Sequence, residues 1–140
     1  MTKNVLLLSV FAVLSTATVN AQETFRLKVS VPFSFHIGQY SMPAGEYDVR
    51  TQDASHNVLT FYSTVGNAVA TIVTTPARKT ESQEKGRLVF NRYEGEYFLT
   101  EVWNSNSNAG ALFNNKTRRE MVIAAADPNR QTAVLYAKGR

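Results

Sequence analysis

The sequence predicts an all-β protein, an antiparallel sandwich or a small barrel of about seven or eight strands, with one short helix in its C-terminal half. Apolar and polar residues alternate between Phe25 and Ile37, which is the period of a half-buried strand. Segments rich in β-branched and aromatic residues then recur between clusters of glycine, proline and asparagine. Two of these segments flank Glu94-Gly95-Glu96, a short connection typical of a β-hairpin.

Residues 1–21 are predicted to be a bacterial-type signal peptide rather than part of the fold. Its three parts are a charged start at Lys3, an apolar run from Val5 to Leu14, and the small-residue pattern Val19-Asn20-Ala21. The apolar run has about ten residues, whereas a membrane-spanning helix needs about 20. Cleavage before Gln22 would leave residues 22–140 as a single domain, and these 119 residues suffice for one core.

The N-terminal half of this domain is predicted to consist of strands separated by tight turns. Pro32 interrupts the first alternating segment, and proline is confined to strand edges, strand starts or bulges because it has no N–H to donate. Pro43-Ala44-Gly45 predicts a turn, since proline has a fixed φ and glycine allows a positive one. The strands predicted here are 25–31, 33–37, 47–50, 58–62 and 69–73.

The C-terminal half contains the clearest local signal, which is the hairpin around Gly95. Residues 75–86 are charged and polar and residues 104–110 are rich in asparagine and serine, so both segments are predicted to be exposed loops. Good helix formers without proline or glycine predict a short helix from Asn115 to Ala126 that lies against the sheet. The strands predicted here are 88–93, 97–103 and 132–136.

Composition and charge exclude several kinds of function. The absence of cysteine excludes disulfides, a thiolate nucleophile and thiolate-bound zinc, so packing alone has to stabilise the fold. The formal charge of +4 falls to +3 without Lys3, a mild bias that, together with export, argues against nucleic acid as a partner. No apolar run after Ala21 approaches the length of a membrane helix, so the processed protein is expected to have no integral membrane span.

Two segments of the chain carry a recognisable pattern. Val31-Pro32-Phe33-Ser34-Phe35-His36-Ile37-Gly38 is followed by Met42-Pro43-Ala44-Gly45-Glu46-Tyr47-Asp48-Val49. The pattern V-P-F-x-F-x-x-G, then P-A-G-x-Y-x-V, resembles a group of small exported proteins of unassigned function common in acidobacteria. Glu101-Val102-Trp103 and the basic segment from Lys116 to Glu120 are similar to that group too. The resemblance implies an exported, all-β bacterial protein and brings no catalytic or ligand-binding residue with it.

The sequence contains no arrangement that catalysis or metal binding would require. Ser34 and His36 lie two apart on one predicted strand and could join Asp48 in a hydrolase site, but the serine is on no strained turn that would expose a nucleophile. His36, His56 and Asp53 could supply a metal site, but their spacing matches neither zinc nor calcium sites. We therefore predict no catalytic residue, no metal site and no cofactor.

Glu94 and Glu96 are the one closely spaced pair of carboxylates in a predicted hairpin, and glycosidases use such pairs. The two residues flank Gly95 in the predicted turn, where no cleft would support them. We therefore expect both carboxylates to be solvated turn charges.

The predicted helix begins with a basic segment that contains Lys116, Arg118 and Arg119. Together with Arg78 and Lys79, such a helix face would attract anionic lipid or acidic polysaccharide. A solvated helix face without a ligand is the simpler interpretation.

Seven aromatic residues could line either a packed core or a ligand cavity. Core packing is the simpler interpretation, and a barrel that holds a small apolar ligand is the alternative. The Gly-x-Trp near the N terminus that is typical of lipocalins is missing, because the only tryptophan is Trp103. The seven residues are Phe33, Phe35, Tyr47, Phe61, Phe90, Tyr97 and Trp103.

The predicted export and the absence of a catalytic arrangement favour a non-enzymatic β-domain, periplasmic or extracellular, that acts as a binding or cell-envelope interaction module. Its partner would be an envelope or extracellular component. A lipocalin-like carrier of a small apolar ligand is the second hypothesis, and a small hydrolase is the third. The candidates for contact with a ligand or partner are Trp103, Tyr97, Lys116, Arg118 and Arg119.

Overall fold

Two β-sheets and one helix make up the computed structural model of the chain, which describes residues 26–51, 57–66, 69–114 and 116–138. The predicted signal peptide, Asp53 and His56 lie outside these residues. The elements are β1 (Arg26–Val31), β2 (Phe35–Ile37), β3 (Tyr40–Met42), β4 (Gly45–Thr51), β5 (Val58–Ser63), β6 (Val69–Val73), β7 (Thr75–Gln83), β8 (Arg87–Tyr93), β9 (Glu96–Trp103), β10 (Ser107–Leu112), α1 (Arg118–Ala126) and β11 (Gln131–Tyr136). The predicted all-β fold with one short helix is confirmed.

The strands are divided between a four-stranded sheet and a seven-stranded sheet. Strands β1, β4, β5 and β6 lie side by side in that order in the first sheet, and its pairs are antiparallel. The second sheet has the order β11-β8-β9-β10-β7, and the β2–β3 hairpin joins it through parallel pairing of β2 with β9. The described residues thus form two sheets rather than a closed barrel, so the sandwich is the correct one of the two predicted architectures.

The core lies between the inward sides of the two sheets. Leu27 and Val29 alternate with exposed residues along β1, so the period of two in the sequence places one side of this strand in the core. Phe35 contacts Tyr47 and Phe90 edge to face, with ring centres 5.3 and 5.6 Å apart. The core also contains Val31, Ile37, Met42, Val49, Leu59, Phe61, Ala70, Leu88, Leu99, Val102 and Ala111.

Two segments that were predicted to be exposed loops contain strands. Residues 75–86 include β7 and residues 104–110 include most of β10, and these two strands pair with each other. β7 is polar because it is an edge strand, where a proline and charged side chains oppose pairing with a second molecule. β10 consists largely of small residues, and the Trp103 ring of β9 covers its Gly110. The loop predictions were therefore wrong, and the described residues contain eleven strands.

Thr117 determines where α1 begins. Its hydroxyl accepts a hydrogen bond from the Glu120 N–H (3.2 Å), as an N-cap residue does, so the helix starts at Arg118, later than predicted. At the other end of the helix, the Asp127 carboxylate accepts a hydrogen bond from the Glu94 N–H (2.9 Å). This bond ties the end of α1 to the β8–β9 hairpin, so the predicted helix is confirmed and lies against the seven-stranded sheet.

The β8–β9 hairpin has a connection of two residues. Tyr93 and Glu96 are paired, so only Glu94 and Gly95 lie between the strands, with φ angles of 47° and 82°. Positive φ at both positions is what a type I′ turn requires. The predicted hairpin is confirmed, but Glu96 belongs to β9 rather than to the turn.

Gly95→Val is expected to lower the free energy of unfolding by about 1 kcal/mol, because valine is strained at a positive φ. Urea denaturation at neutral pH measures the change. Glu94→Asn is the matched variant, and it is expected to leave the protein as stable as the wild type or more stable, since asparagine tolerates the positive φ of a type I′ turn. Equal stability of Gly95→Val and the wild type would contradict this turn geometry.

Candidate functional site

The outward side of the four-stranded sheet presents a row of residues that runs from a cation to a valine. Opposed residues of antiparallel strands lie on the same side of a sheet. Lys28 of β1 is opposed by Asp48 of β4. Asp48 is opposed in turn by Tyr62 of β5, and Tyr62 by Val69 of β6. Since core residues alternate with this row along each strand, the row faces away from the core.

A set of five exposed residues occupies this outward side. Arg26 and Arg50 oppose each other directly on β1 and β4, and they flank the row that contains Lys28. Val73 lies on the same side of β6 as Val69, and the two side chains are 76% and 50% exposed. We call Arg26, Lys28, Arg50, Val69 and Val73 the cation–valine face.

Asp48 holds the two arginines of this face together. The Arg26 guanidinium donates to Asp48 Oδ2 (3.1 Å), and the Arg50 guanidinium donates to the same oxygen through Nη2 (2.5 Å) and Nε (3.1 Å). These bonds, those from Arg50 first, hold the pKa of the Asp48 carboxyl below its usual value, although burial opposes the shift. One carboxylate therefore balances two directly opposed cations, which would otherwise repel each other.

The cation–valine face keeps an excess of positive charge. Asp48 is only 5% exposed and both arginines use the same one of its oxygens, whereas the arginine side chains are about half exposed, at 54% for Arg26 and 47% for Arg50. Lys28 has no ion pair among the described residues. Asp48 is thus the one carboxylate that balances these three cations, since Glu46, on the same side of β4, is paired with Lys138 instead, and guanidinium N–H groups remain open to solvent.

Arg119 of α1 is bound to the seven-stranded sheet. Its guanidinium donates to Glu96 Oε1 (2.5 Å), and this bond lowers the pKa of the Glu96 carboxyl. Glu96 is half-buried, so it is not the solvated turn charge that we expected, whereas Glu94 is exposed. Glu96 therefore neutralises one of the three cations of the predicted basic helix face, although the Arg119 side chain itself stays exposed.

His36 lies between a hydroxyl group and a carboxylate. A hydrogen bond joins Ser41 Oγ and His36 Nδ1 (3.2 Å), and His36 Nε2 is 3.5 Å from Glu96 Oε1. The hydrolase arrangement considered from the sequence is not assembled, because Ser34 precedes β2 and Asp48 is in the other sheet. Sequence reasoning missed this cluster, since it depends on the β2–β3 pairing and on the parallel pairing of β2 with β9.

This cluster is poorly suited to nucleophilic catalysis. Ser41 lies in the middle of β3 rather than on a strained strand-to-helix turn, which is how α/β-hydrolases expose a nucleophilic serine. The Glu96 carboxylate is already paired with Arg119 and lies 3.5 Å from His36 Nε2, so it is not dedicated to the histidine as the carboxylate of a catalytic triad is. The arrangement can fix the orientation of the imidazole ring, which also stacks on Phe98 with ring centres 4.7 Å apart.

Metal-binding residues are not gathered at one place in the described ranges. No group of three or more histidine, cysteine, aspartate or glutamate side chains in these ranges is arranged to hold an ion. Two of the three candidates named from the sequence, Asp53 and His56, lie outside the described residues. His36 contacts Ser41 and Glu96 instead.

Trp103 is packed rather than presented to solvent. Its side chain lies against Gly110, its indole N–H donates to Glu101 Oε2 (2.7 Å), and the Lys79 ammonium lies 4.3 Å from the ring centre. The residue is 5% exposed. Little of this candidate residue is therefore left for contact with a ligand.

Tyr97 also contributes to packing. Its ring stacks on Phe33 with centres 3.6 Å apart, and the guanidinium carbon of Arg92 lies 5.5 Å from its centre. Phe35, Phe61 and Phe90 are buried in the core. Core packing thus accounts for most of the aromatic residues that the sequence offered as cavity lining.

Glu120, in the first turn of α1, is a buried carboxyl group. It is 7% exposed, and its Oε1 has no hydrogen-bond partner among the described residues. Burial raises the pKa of the Glu120 carboxyl, and the opposing effects of Lys116 and a hydrogen bond with Asn91 are smaller. Lys116 and Arg118 themselves are exposed. The first turn of α1 therefore contains a carboxyl group that is costly to ionise.

Glu120→Gln is expected to raise the free energy of unfolding by about 1 kcal/mol at neutral pH, because the neutral amide is cheaper to bury than the carboxylate. The raised pKa means that the folded protein binds this proton more tightly than the unfolded chain, so wild-type stability falls as pH rises above the ordinary glutamate pKa. Thermal unfolding should show a gap between variant and wild type that widens from about pH 4 to about pH 7. Glu81→Gln, on exposed β7, is the control, and an equal response of both variants would contradict this role of Glu120.

The cation–valine face was not among the residues chosen from the sequence. A signal for it exists, because the residues between the apolar positions of β1 are Arg26, Lys28 and Ser30. That alternation was used only to identify the strand. The polar positions of this alternation identify a charged surface only once β4 is known to lie beside β1.

Comparisons were made with models of protein families, with curated proteins and with solved structures, and none of them returned a match. Within the described part of the chain, no helix has the length and apolar character needed to cross a membrane.

Proposed function

We propose that this protein is an exported, non-enzymatic β-domain that acts as an interaction module of the cell envelope, in the periplasm or outside the cell. The cation–valine face carries the proposal, because it presents three cations and two exposed valines on one side of a sheet. Both valines lie on one side of β6, separated by Thr71, and exposed apolar residues grouped beside polar ones are a feature of surfaces that bind a partner. The signal-like segment at residues 1–21 supports the export.

Two features support a binding module over the other hypotheses. The space between the sheets is occupied by large side chains such as Phe35, Phe61 and Phe90, each 1% exposed or less, which favours an interaction surface over a carrier of an apolar ligand. The pairing of Glu96 with Arg119 and the position of Ser41 within a strand favour binding over hydrolysis. Partner contact at the surface is the role that remains.

The first test is the mass and the location of the protein in its own bacterium. We expect a mass that corresponds to Gln22 through Arg140 and recovery of the protein from the envelope or the medium. A protein found in the cytoplasm with residues 1–21 still attached would overturn the exported role.

The second test is sedimentation of the purified protein with the envelope fraction. A variant that combines Lys28→Gln, Val69→Thr and Val73→Thr is expected to lose most of this binding, because it removes one charge and the apolar part of the face. The control combines Arg118→Gln with Val134→Thr, which removes a cation and an exposed valine elsewhere on the surface. Equal binding by both variants would show that the cation–valine face is not the contact.

A further inference from the structure

We propose that the cation–valine face binds the surface of a membrane rich in anionic lipid, an inference that rests on the proposed function of an envelope interaction module. The strands of this sheet would lie along the membrane surface. Lys28, Arg26 and Arg50 would meet lipid phosphates, and Val69 and Val73 would enter the boundary between headgroups and acyl chains.

The face has a cationic half (Arg26, Lys28 and Arg50) and an apolar half (Val69 and Val73). The two halves are placed so that one flat partner can contact both. Lys28 and Val69 lie in the same row across four adjacent strands, which puts them about 14 Å apart at ordinary strand spacing. The alternation along each strand directs both side chains to the same side of the sheet. A membrane surface is broad enough to span this distance without a groove.

The cationic half of the face fits a phosphate-bearing surface. Arg26 and Arg50 are directly opposed, and their shared bond to Asp48 Oδ2 holds both guanidinium groups in place at the strand pair. The planar guanidinium group can present two N–H donors to one phosphate. Lys28 adds a third positive charge beside them, so this half carries a net positive charge of the kind that attracts anionic lipid headgroups.

The apolar half of the face distinguishes lipid from a soluble polyanion. Val73 is 76% exposed and Val69 is 50% exposed, and Val65 in the loop between β5 and β6 is 82% exposed. An acidic polysaccharide would account for the cations but would leave these valines in contact with water. An anionic membrane accounts for both halves, because interfacial binding combines buried apolar area with attraction of basic side chains to lipid headgroups.

The helix is a weaker candidate for the same role. Arg119 is bound to Glu96, and Lys116 lies close enough to Glu120 to influence its ionisation. Of the three helix cations, Arg118 is the one for which neither kind of interaction with a glutamate is found among the described residues. It lies one turn from the exposed Val122. This pair supplies a matched control, because it also combines one cation with one exposed valine.

Vesicle sedimentation tests the proposal with the processed protein, residues 22–140. Vesicles of phosphatidylcholine and phosphatidylglycerol in equal parts should bind the wild type, and vesicles of phosphatidylcholine alone should bind it far more weakly. Lys28→Gln is expected to lower the affinity for the anionic vesicles about fivefold, which is the effect of one cation near such a surface. Val73→Thr is expected to lower it several-fold, and more salt should weaken the contribution of Lys28 but not that of Val73. Arg118→Gln and Val122→Thr should bind as the wild type does.

Three results of the vesicle and polysaccharide experiments would overturn the proposal, and comparison with the envelope fraction supplies a fourth. The first is equal binding to both kinds of vesicle. The second is unchanged binding of the Lys28→Gln and Val73→Thr variants, with circular dichroism confirming that they are folded. The third is binding to soluble polygalacturonate that is lost in Lys28→Gln but not in Val73→Thr, which would identify an acidic polysaccharide as the partner. If the wild type bound the envelope fraction but no vesicle, the lipid partner would be refuted and the proposed function would stand. If the wild type bound neither, the proposed function would be refuted as well.

Discussion

Gly110→Ala is expected to lower the free energy of unfolding by about 3 kcal/mol, the largest loss of stability that we predict, although it adds only one methyl group. A Cβ at Gly110 would lie 2.3 Å from Cε3 of Trp103 and 2.7 Å from two further ring atoms. The ring has little freedom to move away, because it is buried and its indole N–H donates to Glu101. Overpacking of this kind forces side chains off their rotamers or shifts the backbone.

The same substitution in a Trp103→Leu background separates this contact from a general preference for glycine in β10. With the large ring removed, Gly110→Ala is expected to cost much less, so the two substitutions should be strongly coupled in a double-mutant cycle. Urea denaturation of the wild type, both single variants and the double variant supplies the four free energies. An equal loss in both backgrounds would show that the Trp103 ring is not the cause.

Asp48→Asn is expected to lower the free energy of unfolding by about 2 kcal/mol at neutral pH. The carboxylate accepts hydrogen bonds from two guanidinium groups, and its removal leaves Arg26 directly opposite Arg50 without a balancing charge. The value is below that of a fully buried ion pair, because both arginine side chains are about half exposed and solvent screens them.

The pH dependence of this variant tests the cause. Because the arginines hold the Asp48 pKa below its usual value, the stabilisation is fully present above the usual aspartate pKa and is lost as pH falls through the folded pKa. The gap between the wild type and Asp48→Asn should therefore shrink below about pH 4. Glu81→Gln, which removes an exposed carboxylate of β7, is the control and should change stability by less than about 0.5 kcal/mol. A gap that stays constant as pH falls would show that the charge of Asp48 is not the cause.

The cation–valine face shows why a surface site of this kind is hard to find in a sequence. Arg26 and Asp48 are 22 residues apart in the chain, and only the antiparallel register of β1 with β4 brings their side chains together. The valines come from a third segment, β6, which is two strands away from β4. Each residue taken alone is of a common surface type, and the face can be recognised only when the order of the strands is known.

Sequence reasoning succeeded where a feature depends on a few neighbouring residues. The alternation along β1 and the hairpin around Gly95 each depend on residues within one strand or turn, so the local residue types suffice to predict them. The all-β class follows from the same local patterns. Residue types in one segment also sufficed to predict the helix, although not its first residue.

Tertiary structure alone decided which polar segments became strands and which charged residues met. β7 and β10 are strands because they pair with each other and because β10 also pairs with β9, and the residue types within the two segments do not predict these partners. Glu96 is bound by Arg119 and lies next to His36 because α1 and the parallel β2–β9 pair converge there, over chain separations that no local pattern spans. The choice of sandwich over barrel has the same origin, since local residue types specify strands, whereas their order and closure depend on packing among all of them.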